Sequence, residues 1–415
     1  MSSSALDPNQ RKSVLLLAYY YLPATTSGVQ RAVRFARYLP KHGYRTFVVS
    51  SSAQGTLALP RVTYVPNSMT DSAVGGKAEW IAKKIQCILP YNEQLPWSAH
   101  AVAASRELAQ EFGISAVIST SPPASSHFAA FWLKQRLGLK WIADFRDPLL
   151  GNPGRNRRWA VPYDYLLERS FLRYADKIMT VTDTNAEHWR QRYPRWRDKF
   201  HVVWNGYDPA EAFHAAPITP RRYRMLSHVG VLYEQRHPLG ILSAVQRLTS
   251  QGRVDPGEIH IQFIGPILGE GFRSHPVVAS LEAKGCLRIN GKTIPRPAAM
   301  TEIATSDYLL LLDINNLDNA GYTVPAKLYD YVLTGRPILA ATSPQSPVDR
   351  ILSQSGIPYR CIYHTDSSQE IESKLLDFFQ LPSTPQTPSS WFLNTFDGDR
   401  QAGVVASLLD RLLGS

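Results

Sequence analysis

Short apolar runs alternate with helical patterns along the whole chain, and this alternation constrains the fold more than any other feature of the sequence. Val14–Tyr20 is typical of a buried strand, and in the segment Gly28–His42 that follows, Ala32, Phe35 and Leu39 recur at helical spacing. Strands separated by helices of roughly ten to fifteen residues favour right-handed βαβ units and a parallel sheet.

The same pattern occurs in both halves of the 415-residue chain. In the first half the predicted strands are Val14–Tyr20, Tyr44–Ser50, Ala116–Thr120, Trp141–Phe145, Lys177–Val181 and His201–Trp204, and the predicted helices are Gly28–His42, Ser98–Phe112 and Ser125–Leu137. In the second half the strands are Tyr223–Val231, His260–Ile264, Cys286–Ile289, Tyr308–Leu312 and Pro337–Ala341, and the helices are Leu239–Gln251, Pro325–Leu333 and Ser346–Gln354. The fold class expected from this order is α/β, with two doubly wound domains facing across a ligand cleft.

The domain boundaries follow from where this periodicity stops. We expect a first domain over residues 1–208, a proline-containing linker over 209–224, a second domain over 225–395 and a terminal helix over 396–415. Gln386–Leu393, before that helix, is predicted to be a loop.

The composition is that of a globular protein, with 44% hydrophobic and 19% charged residues, which excludes a disordered or fibrous chain. Three scattered cysteines favour a reducing compartment over a disulfide framework or a zinc site. The longest apolar stretches are about half a membrane span, and the N-terminus lacks an apolar signal segment. We therefore expect a soluble, cytoplasmic protein.

Positive charge is concentrated in the first half of the chain. Residues 1–210 carry 27 Lys and Arg against 15 Asp and Glu, whereas residues 211–415 carry 18 against 19. A basic half indicates an anionic partner, for which nucleic acid, a membrane surface and a phosphorylated substrate all qualify. Since no RNP-like, helix-turn-helix or zinc signature accompanies the charge, nucleic acid is not the expected partner.

The common catalytic motifs are absent from the sequence. It contains no G-x-x-x-x-G-K-[ST], G-x-G-x-x-G, G-x-S-x-G or H-E-x-x-H. The triplet Asp397–Asp399 has the form D-x-D of a metal motif, but it precedes a terminal helix, so we interpret Asp397 as a helix N-cap. The informative positions are therefore the turns that follow strands.

Two such turns lie in the first half. Gly28 opens the first helix, where it either permits a close backbone approach to an anion or simply makes a tight turn. The basic residues Arg31, Arg34, Arg37 and Lys41 continue along one helical face, which is most simply a solvated face. Arg146 and Asp147 follow a predicted strand, either as site residues or as a structural ion pair.

Two more turns lie in the second half. Gly230 and Arg236 follow the first strand there, and Arg236 is either a phosphate ligand or a surface cation. Pro325 stands near a helix start that would direct N–H groups at 323–327 towards an anion. Lys327 lies one turn into this helix, and Asp330 follows on the same face, where its carboxylate is able to accept hydrogen bonds from ribose hydroxyls.

In these segments the chain resembles the family 4 glycosyltransferases, which have the GT-B fold of two Rossmann-like domains. It is most similar to the bacterial branch that builds surface polysaccharides such as lipopolysaccharide or exopolysaccharide. The resemblance is carried, in order, by YYYLPATTSGVQRAVRFARYLPKHGY at 19–44, STSPPASSHF at 119–128, WIADFRDP at 141–148, WNGYDPAEAF at 204–213 and VPAKLYDYVLTGRPIL at 324–339.

The resemblance implies a donor site in the second domain and an acceptor site in the first. Asp330 takes the place of the second carboxylate of the family's E-x7-E pattern, whereas Tyr322 stands where the first glutamate is expected. Arg146 stands where the family often has a histidine. The implied donor-binding residues are Gly28, Gly230, Arg236, Thr323, Val324, Lys327, Leu328 and Asp330.

The implied activity is retaining, metal-independent transfer of a sugar from a nucleotide diphosphate-sugar to a hydroxyl of a glycan or lipid-linked acceptor, with no cofactor. Arg236 and Lys327 would meet the charge of the leaving group, while Arg146, Asp147 and His127 would orient the acceptor. His127 is alternatively a histidine on a helix face. The competing interpretation of the chain is a non-catalytic assembly or regulatory protein with a degenerate donor site.

A membrane contact is also expected, because the acceptor of such an enzyme is often carried on a lipid. Gly76–Pro90 has the pattern of an amphipathic helix with lysines beside its apolar face and Trp80 at the edge. The segment is either an interfacial helix at the inner face of an anionic membrane or an ordinary core-facing helix.

Overall fold

The computed structural model describes residues 12–26, 28–67, 94–152, 158–211, 216, 221–233, 238–269, 271–313 and 323–414. The chain divides into two compact units. Unit 1 comprises Met1–Asp208 with Asp397–Ser415, and unit 2 comprises Pro209–Phe396. The terminal segment thus returns to the unit in which the chain began.

Unit 1 is built on a parallel seven-stranded sheet in the order β3-β2-β1-β4-β5-β6-β7. The strands are β1 Lys12–Ala18, β2 Tyr44–Ser51, β3 Val62–Val65, β4 Ala116–Ser121, β5 Lys140–Phe145, β6 Lys177–Thr180 and β7 Phe200–Val202. The order reverses direction between β1 and β4, so the carboxyl ends of these two strands form a topological switch point, where α/β proteins bind ligands.

Helices cover both faces of this sheet. They are α1 Val29–Tyr38, α2 Leu95–Phe112, α3 Ser125–Leu137, α4 Val161–Tyr174, α5 Asp183–Arg192 and, from the end of the chain, a terminal helix Gly398–Leu413. Alternate side chains of β1 enter the two separate cores, since Leu15 and Leu17 pack with Trp97 and Trp141, while Leu16 packs on the opposite face. Burial on both faces explains the unbroken apolar runs in the sequence.

Unit 2 repeats the plan with six parallel strands in the order β10-β9-β8-β11-β12-β13. They are β8 Arg224–Val229, β9 Ile259–Ile264, β10 Leu287–Asn290, β11 Tyr308–Leu312, β12 Ile338–Thr342 and β13 Tyr359–Tyr363. Its helices are α6 Leu239–Ser250, α7 Pro276–Ala283, α8 Arg296–Ala304, α9 Lys327–Leu333, α10 Pro347–Gln354, α11 Ser368–Phe379 and α12 Ser390–Thr395, and the terminal helix of unit 1 is then α13. The predicted pair of doubly wound, Rossmann-like α/β units is confirmed.

Two predicted elements of unit 2 differ from the structure. Helix α9 begins at Lys327, two residues later than predicted, so Pro325 precedes the helix. The segment predicted to be a loop, Gln386–Leu393, contains the start of α12, because the Ser389 side chain accepts a hydrogen bond from the Phe392 N–H and caps the helix.

The basic face that starts in α1 is solvated in part, since Arg37 and Lys41 are exposed and Arg31 is buried. Arg31 is 2% exposed, and Arg37 forms an ion pair with Asp208, the last residue of unit 1 before the chain crosses over. Lys41 forms an ion pair with Asp399 at the start of α13. Helical periodicity predicts which residues share a face, but it does not predict which carboxylates lie opposite them.

Helix α13 packs against α1 and closes one core of unit 1. Its buried side chains Val405, Leu408 and Leu409 join the cluster formed by α1 and one face of the sheet. The Asp397 side chain accepts hydrogen bonds from the N–H groups of Asp399 and Arg400, which confirms the predicted N-cap.

Among the helices that the structure describes, none is long and apolar enough to cross a membrane. The amphipathic segment Gly76–Pro90 lies outside the described residues.

Candidate functional site

In unit 1 the candidate residues lie where β1, β4 and β5 end. Arg146 directly follows β5, and its side chain folds back over the end of β4. Its Nε lies 3.1 Å from the Ser121 carbonyl oxygen, and its guanidinium also donates to the Pro122 carbonyl. Two carbonyls thus fix the position of this cation at the carboxyl edge of the sheet.

Gly28 is required here because of a close approach rather than its backbone angles. Its φ of −79° is ordinary, but a Cβ atom at this position would lie only 1.3 Å from a terminal nitrogen of Arg146. The close approach at Gly28 is thus made by a side chain of unit 1 itself, and the approach of an anion to Gly28 stays a prediction. Any larger residue at position 28 would displace the Arg146 guanidinium.

Beneath Arg146, the Arg31 and Asp144 side chains form a buried bidentate ion pair. The Arg31 Nε and terminal nitrogen lie 2.9 and 2.7 Å from the two Asp144 carboxylate oxygens. The other terminal nitrogen donates to the Trp204 carbonyl at 3.1 Å and to the Asn205 side chain at 3.3 Å. This pair joins α1 to β5 and to the segment after β7, and it supports the residues that follow β5.

Two negative charges accompany Arg146. Burial lowers the pKa of the Arg146 guanidinium, and the charges of Asp147 and Asp144 oppose that shift. Asp147 is half-buried beside Arg146 at the same edge. The two acceptor-orienting residues predicted from the turn after β5 therefore lie together.

The structure places His127 in the core instead of at this edge. Its imidazole is fully buried and packs against Phe145 and Phe171. The Trp141 indole N–H donates to the Ser119 hydroxyl at 2.8 Å, so that hydroxyl in turn donates to His127 Nδ1 at 2.7 Å. Burial lowers the pKa of His127 to about 3. A neutral, enclosed imidazole has no route to an acceptor, so we leave His127 out of the proposed mechanism.

In unit 2 the corresponding edge holds Lys327 above Gly230. Gly230 directly follows β8 with φ 127°, a conformation that favours glycine, and a Cβ atom there would lie 2.7 Å from Lys327 Nζ. Lys327 is the first residue of α9. The two predicted donor-binding residues thus meet at the carboxyl end of a central strand.

His228 holds Lys327 in this position, although nothing in the sequence singled it out. Its Nδ1–H donates to the Leu310 carbonyl at 3.0 Å, which leaves Nε2 as an acceptor. Lys327 Nζ lies 3.1 Å from that Nε2 and donates to it. The only sequence signal is that a histidine stands at a strand end two residues before Gly230.

Asp330 lies one turn further along α9 and forms an ion pair with Arg296, the first residue of α8. The Arg296 guanidinium is 3.4 Å from Asp330 Oδ2 and 3.7 Å from the Glu211 carboxylate. The contact is long and partly exposed, and a carboxylate has room for several hydrogen bonds. Asp330 is therefore held at the start of α9 without being buried.

The remaining predicted donor residues have different surroundings. Val324 and Leu328 are buried and anchor α9, and the Thr323 hydroxyl is buried without a hydrogen-bond partner among the described residues. Helix α9 is also anchored by Tyr331, whose hydroxyl accepts a hydrogen bond from the Val229 N–H at 2.9 Å. Arg236 and Tyr322 lie outside the described residues.

Within the described parts of the chain, no three His, Cys, Asp or Glu side chains lie close enough together to hold a metal ion. The charged residues predicted for the site that the structure describes are Arg146 and Asp147 after β5, and Lys327 and Asp330 on α9. Cations and N–H donors of this kind suit a phosphate-bearing substrate.

Two doubly wound, Rossmann-like units in succession make up the GT-B fold. Residues 27–211 match the family model Glycosyltransferase Family 4, the family that the sequence resembles. No curated protein sequence matches the chain.

Solved structures of GT-B proteins resemble the chain over almost its full length. Sucrose-phosphate synthase from Thermosynechococcus elongatus is 11% identical with a TM-score of 0.65, covering 97% of this chain and all of that one. HepE of Anabaena, solved with UDP-glucose, is 13% identical with a TM-score of 0.64, covering 96% and 99%. WaaG, a glycosyltransferase of lipopolysaccharide biosynthesis, is 12% identical with a TM-score of 0.59, covering 97% and 100%.

Proposed function

We propose that this chain transfers a sugar from a nucleotide diphosphate-sugar to a hydroxyl of a glycan or lipid-linked acceptor. The donor binds to unit 2 and the acceptor to unit 1. The observation that carries the proposal is the Lys327 ammonium held over Gly230 by His228 at the carboxyl end of β8. HepE was solved with UDP-glucose, which supports a nucleotide-sugar as the donor class.

Lys327 would stabilise the charge that grows on the leaving group. As the bond to the sugar breaks, a nucleoside diphosphate departs with additional negative charge, and a fixed cation stabilises this state more than the ground state. Arg236 is proposed to act with it. We propose that the transfer retains the anomeric configuration and needs no metal ion, as the resemblance to family 4 implies.

Asp330 would bind the ribose of the donor. Its position near the start of α9 and its partial exposure support this role, because a carboxylate there is able to accept hydrogen bonds from two adjacent hydroxyls. Arg296 would orient the carboxylate. Donor binding then depends on two neighbouring turns, one after β8 and one at the start of α9.

On unit 1, Arg146 and Asp147 would orient the acceptor. Arg146 is fixed by the Ser121 and Pro122 carbonyls and is supported by the Arg31–Asp144 pair, so its position does not depend on the substrate. WaaG acts in lipopolysaccharide biosynthesis, which supports a bacterial surface polysaccharide as the product. The positive half of the chain and the Gly76–Pro90 segment would hold the enzyme peripherally at an anionic membrane, at the inner face in the cytoplasm.

The direct test is release of nucleoside diphosphate from a panel of nucleotide-sugars, with and without a lipid extract that contains acceptors. We expect nucleoside diphosphate to be released from one nucleotide-sugar of the panel, and only when the acceptor extract is present. Lys327→Ala should lower kcat about 10²–10³-fold with a smaller change in KM, while Lys284→Ala, at an exposed lysine of unit 2, should behave as wild type.

The second candidate is a non-catalytic assembly protein with a degenerate donor site. Two features favour it: Tyr322 stands in place of a family glutamate, and the Asp330 carboxylate already has Arg296 as a partner. Such a protein would bind nucleotide-sugars or acceptors without releasing nucleoside diphosphate. Binding without turnover, in the presence of every donor and of acceptor extract, would establish this candidate.

A further inference from the structure

Large apolar side chains are exposed in one region of unit 1, on α3 and α4 and just before α4. Trp132 of α3 is 47% exposed and Leu166 of α4 is 62% exposed, and the ring of Tyr174 is exposed where α4 ends. Trp159 and Val161, at the start of α4, are exposed as well. These five are half of the ten large hydrophobic residues that are exposed in the described parts of the chain. Such a concentration is typical of a surface that contacts a partner or a membrane.

Helices α3 and α4 pack side by side, which joins their exposed residues into one surface. The ring centroids of Phe128 and Phe171 are 5.1 Å apart, and those of Phe131 and Tyr174 are also 5.1 Å apart. Phe171 belongs to the core on this side of the sheet, so the opposite face of α4 is turned outwards. We call the outer face of the two helices the α3–α4 surface, and it consists of Trp132, Arg136, Leu166, Arg169, Arg173 and Tyr174.

The outer face of α4 combines an apolar side chain with positive charge. Leu166, Arg169 and Arg173 are exposed and share one face, since they stand at positions i, i+3 and i+7 of the helix. The two acidic residues of the helix, Asp164 and Glu168, are buried on the other side. Helix α4 therefore presents only cations among its charged groups to the solvent.

Helix α3 adds Trp132 and Arg136 to this surface and contains no acidic residue. The Arg136 guanidinium lies 5.5 Å from the Trp132 ring centroid, and the Arg173 guanidinium lies 5.5 Å from the Tyr174 ring centroid. The α3–α4 surface thus carries three arginines and no carboxylate, and two of the arginines lie over aromatic rings. Trp and Tyr rings next to basic side chains are typical of the interface between a bilayer and water.

An anionic bilayer suits this surface better than a second copy of the chain does. In a two-fold symmetric contact the arginines of both copies would lie at the same interface and repel one another. Lipid phosphates would instead pair with the guanidinium groups. Asp176, which follows α4, adds no net negative charge here because it forms an ion pair with Lys134.

The surface is also connected to the residues that follow β5. A helix between two parallel strands starts at the carboxyl end of the first strand, so Trp159, just before α4, lies towards the sheet edge that holds Asp147. On the inner side of α4, the Glu168 carboxylate accepts hydrogen bonds from the Leu149 N–H at 3.0 Å and the Leu150 N–H at 3.1 Å. Helix α4 therefore links the α3–α4 surface to the turn proposed to orient the acceptor.

We propose that the α3–α4 surface docks unit 1 on an anionic lipid bilayer. Trp132, Leu166 and Tyr174 enter the headgroup region, and the three arginines pair with lipid phosphates. This inference deepens the peripheral membrane contact of the proposed function, on which it rests, by assigning that contact to described residues. Docking here holds the acceptor-orienting turn beside the membrane, where a lipid-linked acceptor would be presented.

Sedimentation of the full chain with vesicles, without donor or acceptor, tests the surface. The vesicles contain either phosphatidylcholine alone or equal parts of phosphatidylcholine and phosphatidylglycerol. Wild type should bind the anionic vesicles and bind the neutral ones much more weakly. The variant Trp132→Ser/Leu166→Ser should bind the anionic vesicles about tenfold more weakly or worse, because its apolar contacts are lost. The control Leu268→Ser/Trp391→Ser changes two exposed apolar residues of unit 2 and should bind like wild type.

A second pair of variants tests the charge of the surface. Arg169→Gln/Arg173→Gln should also weaken binding to the anionic vesicles about tenfold or more, since each arginine near an anionic leaflet contributes to the attraction. Arg253→Gln/Arg288→Gln removes two exposed arginines of unit 2 and is the matched control, with binding like that of wild type. All these side chains are exposed, so each variant should unfold at the same denaturant concentration as wild type.

Three results would overturn the proposal. The first is wild-type affinity for anionic vesicles in both α3–α4 variants, which would leave the Gly76–Pro90 segment as the membrane contact. The second is no binding of wild type to either kind of vesicle. The third is a wild-type dimer in solution that Trp132→Ser/Leu166→Ser dissociates, which would assign the surface to a second copy of the chain.

A separate measurement distinguishes failure of this proposal from failure of the proposed function. In a detergent-solubilised acceptor extract no bilayer is present, so both α3–α4 variants should release nucleoside diphosphate from the donor at the wild-type rate. No release by wild type in detergent would contradict the proposed function and leave the vesicle result intact.

Discussion

At the scale of single residues, the contact between His228 and Lys327 is the feature that the sequence did not indicate. Lys327 could be identified from its place near a helix start, but a strand histidine has no motif. Its role emerges only because β8 pairs with β11, which brings the Leu310 carbonyl to one side of the ring and leaves the other nitrogen for Lys327.

We expect His228→Leu to lower kcat about tenfold and to change KM for the donor little. Without an acceptor for its N–H, the Lys327 ammonium loses a hydrogen bond worth about 1–1.5 kcal/mol, and its position is less well fixed. His228→Gln, which retains an acceptor oxygen, should recover much of the rate. Steady-state kinetics of both variants is the measurement, and equal rates for His228→Leu and wild type would remove the histidine from the site.

The placement of His127 leads to a prediction about pH. Its pKa is about 3 in the folded protein and near 6.5 when unfolded, so below pH 6.5 the unfolded state binds a proton that the folded state does not. Stability is therefore unaffected above this range and falls as pH drops from 6.5 towards 3, by up to about 1.4 kcal/mol per pH unit.

His127→Asn should show a shallower loss of stability over that range in urea titrations from pH 7 to pH 4. His201, whose pKa burial lowers to about 4, contributes a similar slope that should remain in the variant. An unchanged slope in His127→Asn would mean that the imidazole is accessible to protons in the folded chain, as a site residue would be.

The buried pair of Arg31 and Asp144 gives a stability prediction. Replacing Arg31 by Met leaves the Asp144 carboxylate buried without its partner and should destabilise unit 1 by about 3–5 kcal/mol. Arg34→Met, at a neighbouring arginine on the same helix, is the matched control and should cost less. Denaturant unfolding measures the loss of stability in each variant. Equal losses would mean that the Arg31–Asp144 ion pair does not stabilise unit 1 more than the Arg34 side chain does.

At the scale of elements, the sequence predicted the central strands and two of the four edge strands, β7 and β10, and it missed the other two. β1, β4 and β5 are buried on both faces, so they appear as continuous apolar runs that periodicity detects. β3 and β13 lie at the sheet edges and are mostly half-buried, and their mixed polarity gave no signal. The burial of Arg31 was not predicted because its partner Asp144 lies far away in sequence.

Helix α13 is a further element whose partner the sequence could not show. Its buried face packs on the core of unit 1, although it follows unit 2 in the chain. Each fully buried Val or Leu contributes roughly 1.5–3 kcal/mol, so deleting residues 397–415 should destabilise unit 1 selectively. Hydrogen exchange should accelerate in β1 and α1 while β8 and β11 keep their protection. Equal acceleration in both units would contradict this assignment.

At the scale of the whole molecule, the repeated order of strands and helices was sufficient to predict two doubly wound units, and residues 27–211 match a model of the family that the motifs indicated. The site was predicted less completely. Predicted site residues do meet at the sheet edges, Gly28 with Arg146 and Gly230 with Lys327, because such residues follow the central strands. His127 could not be placed correctly, since a helical pattern does not show which face is turned towards the core.

The central prediction is that unit 2 binds the nucleoside diphosphate of a sugar donor. Calorimetric titration of wild type and Asp330→Ala with a panel of nucleoside diphosphates tests this claim most directly, with Asp377→Ala of α11 as a control. We expect one nucleotide to bind wild type and the control alike, and to bind Asp330→Ala more weakly by about 1.5–3 kcal/mol, roughly ten- to a hundredfold. The same affinity in all three chains, or no binding of any nucleotide to wild type, would contradict the account.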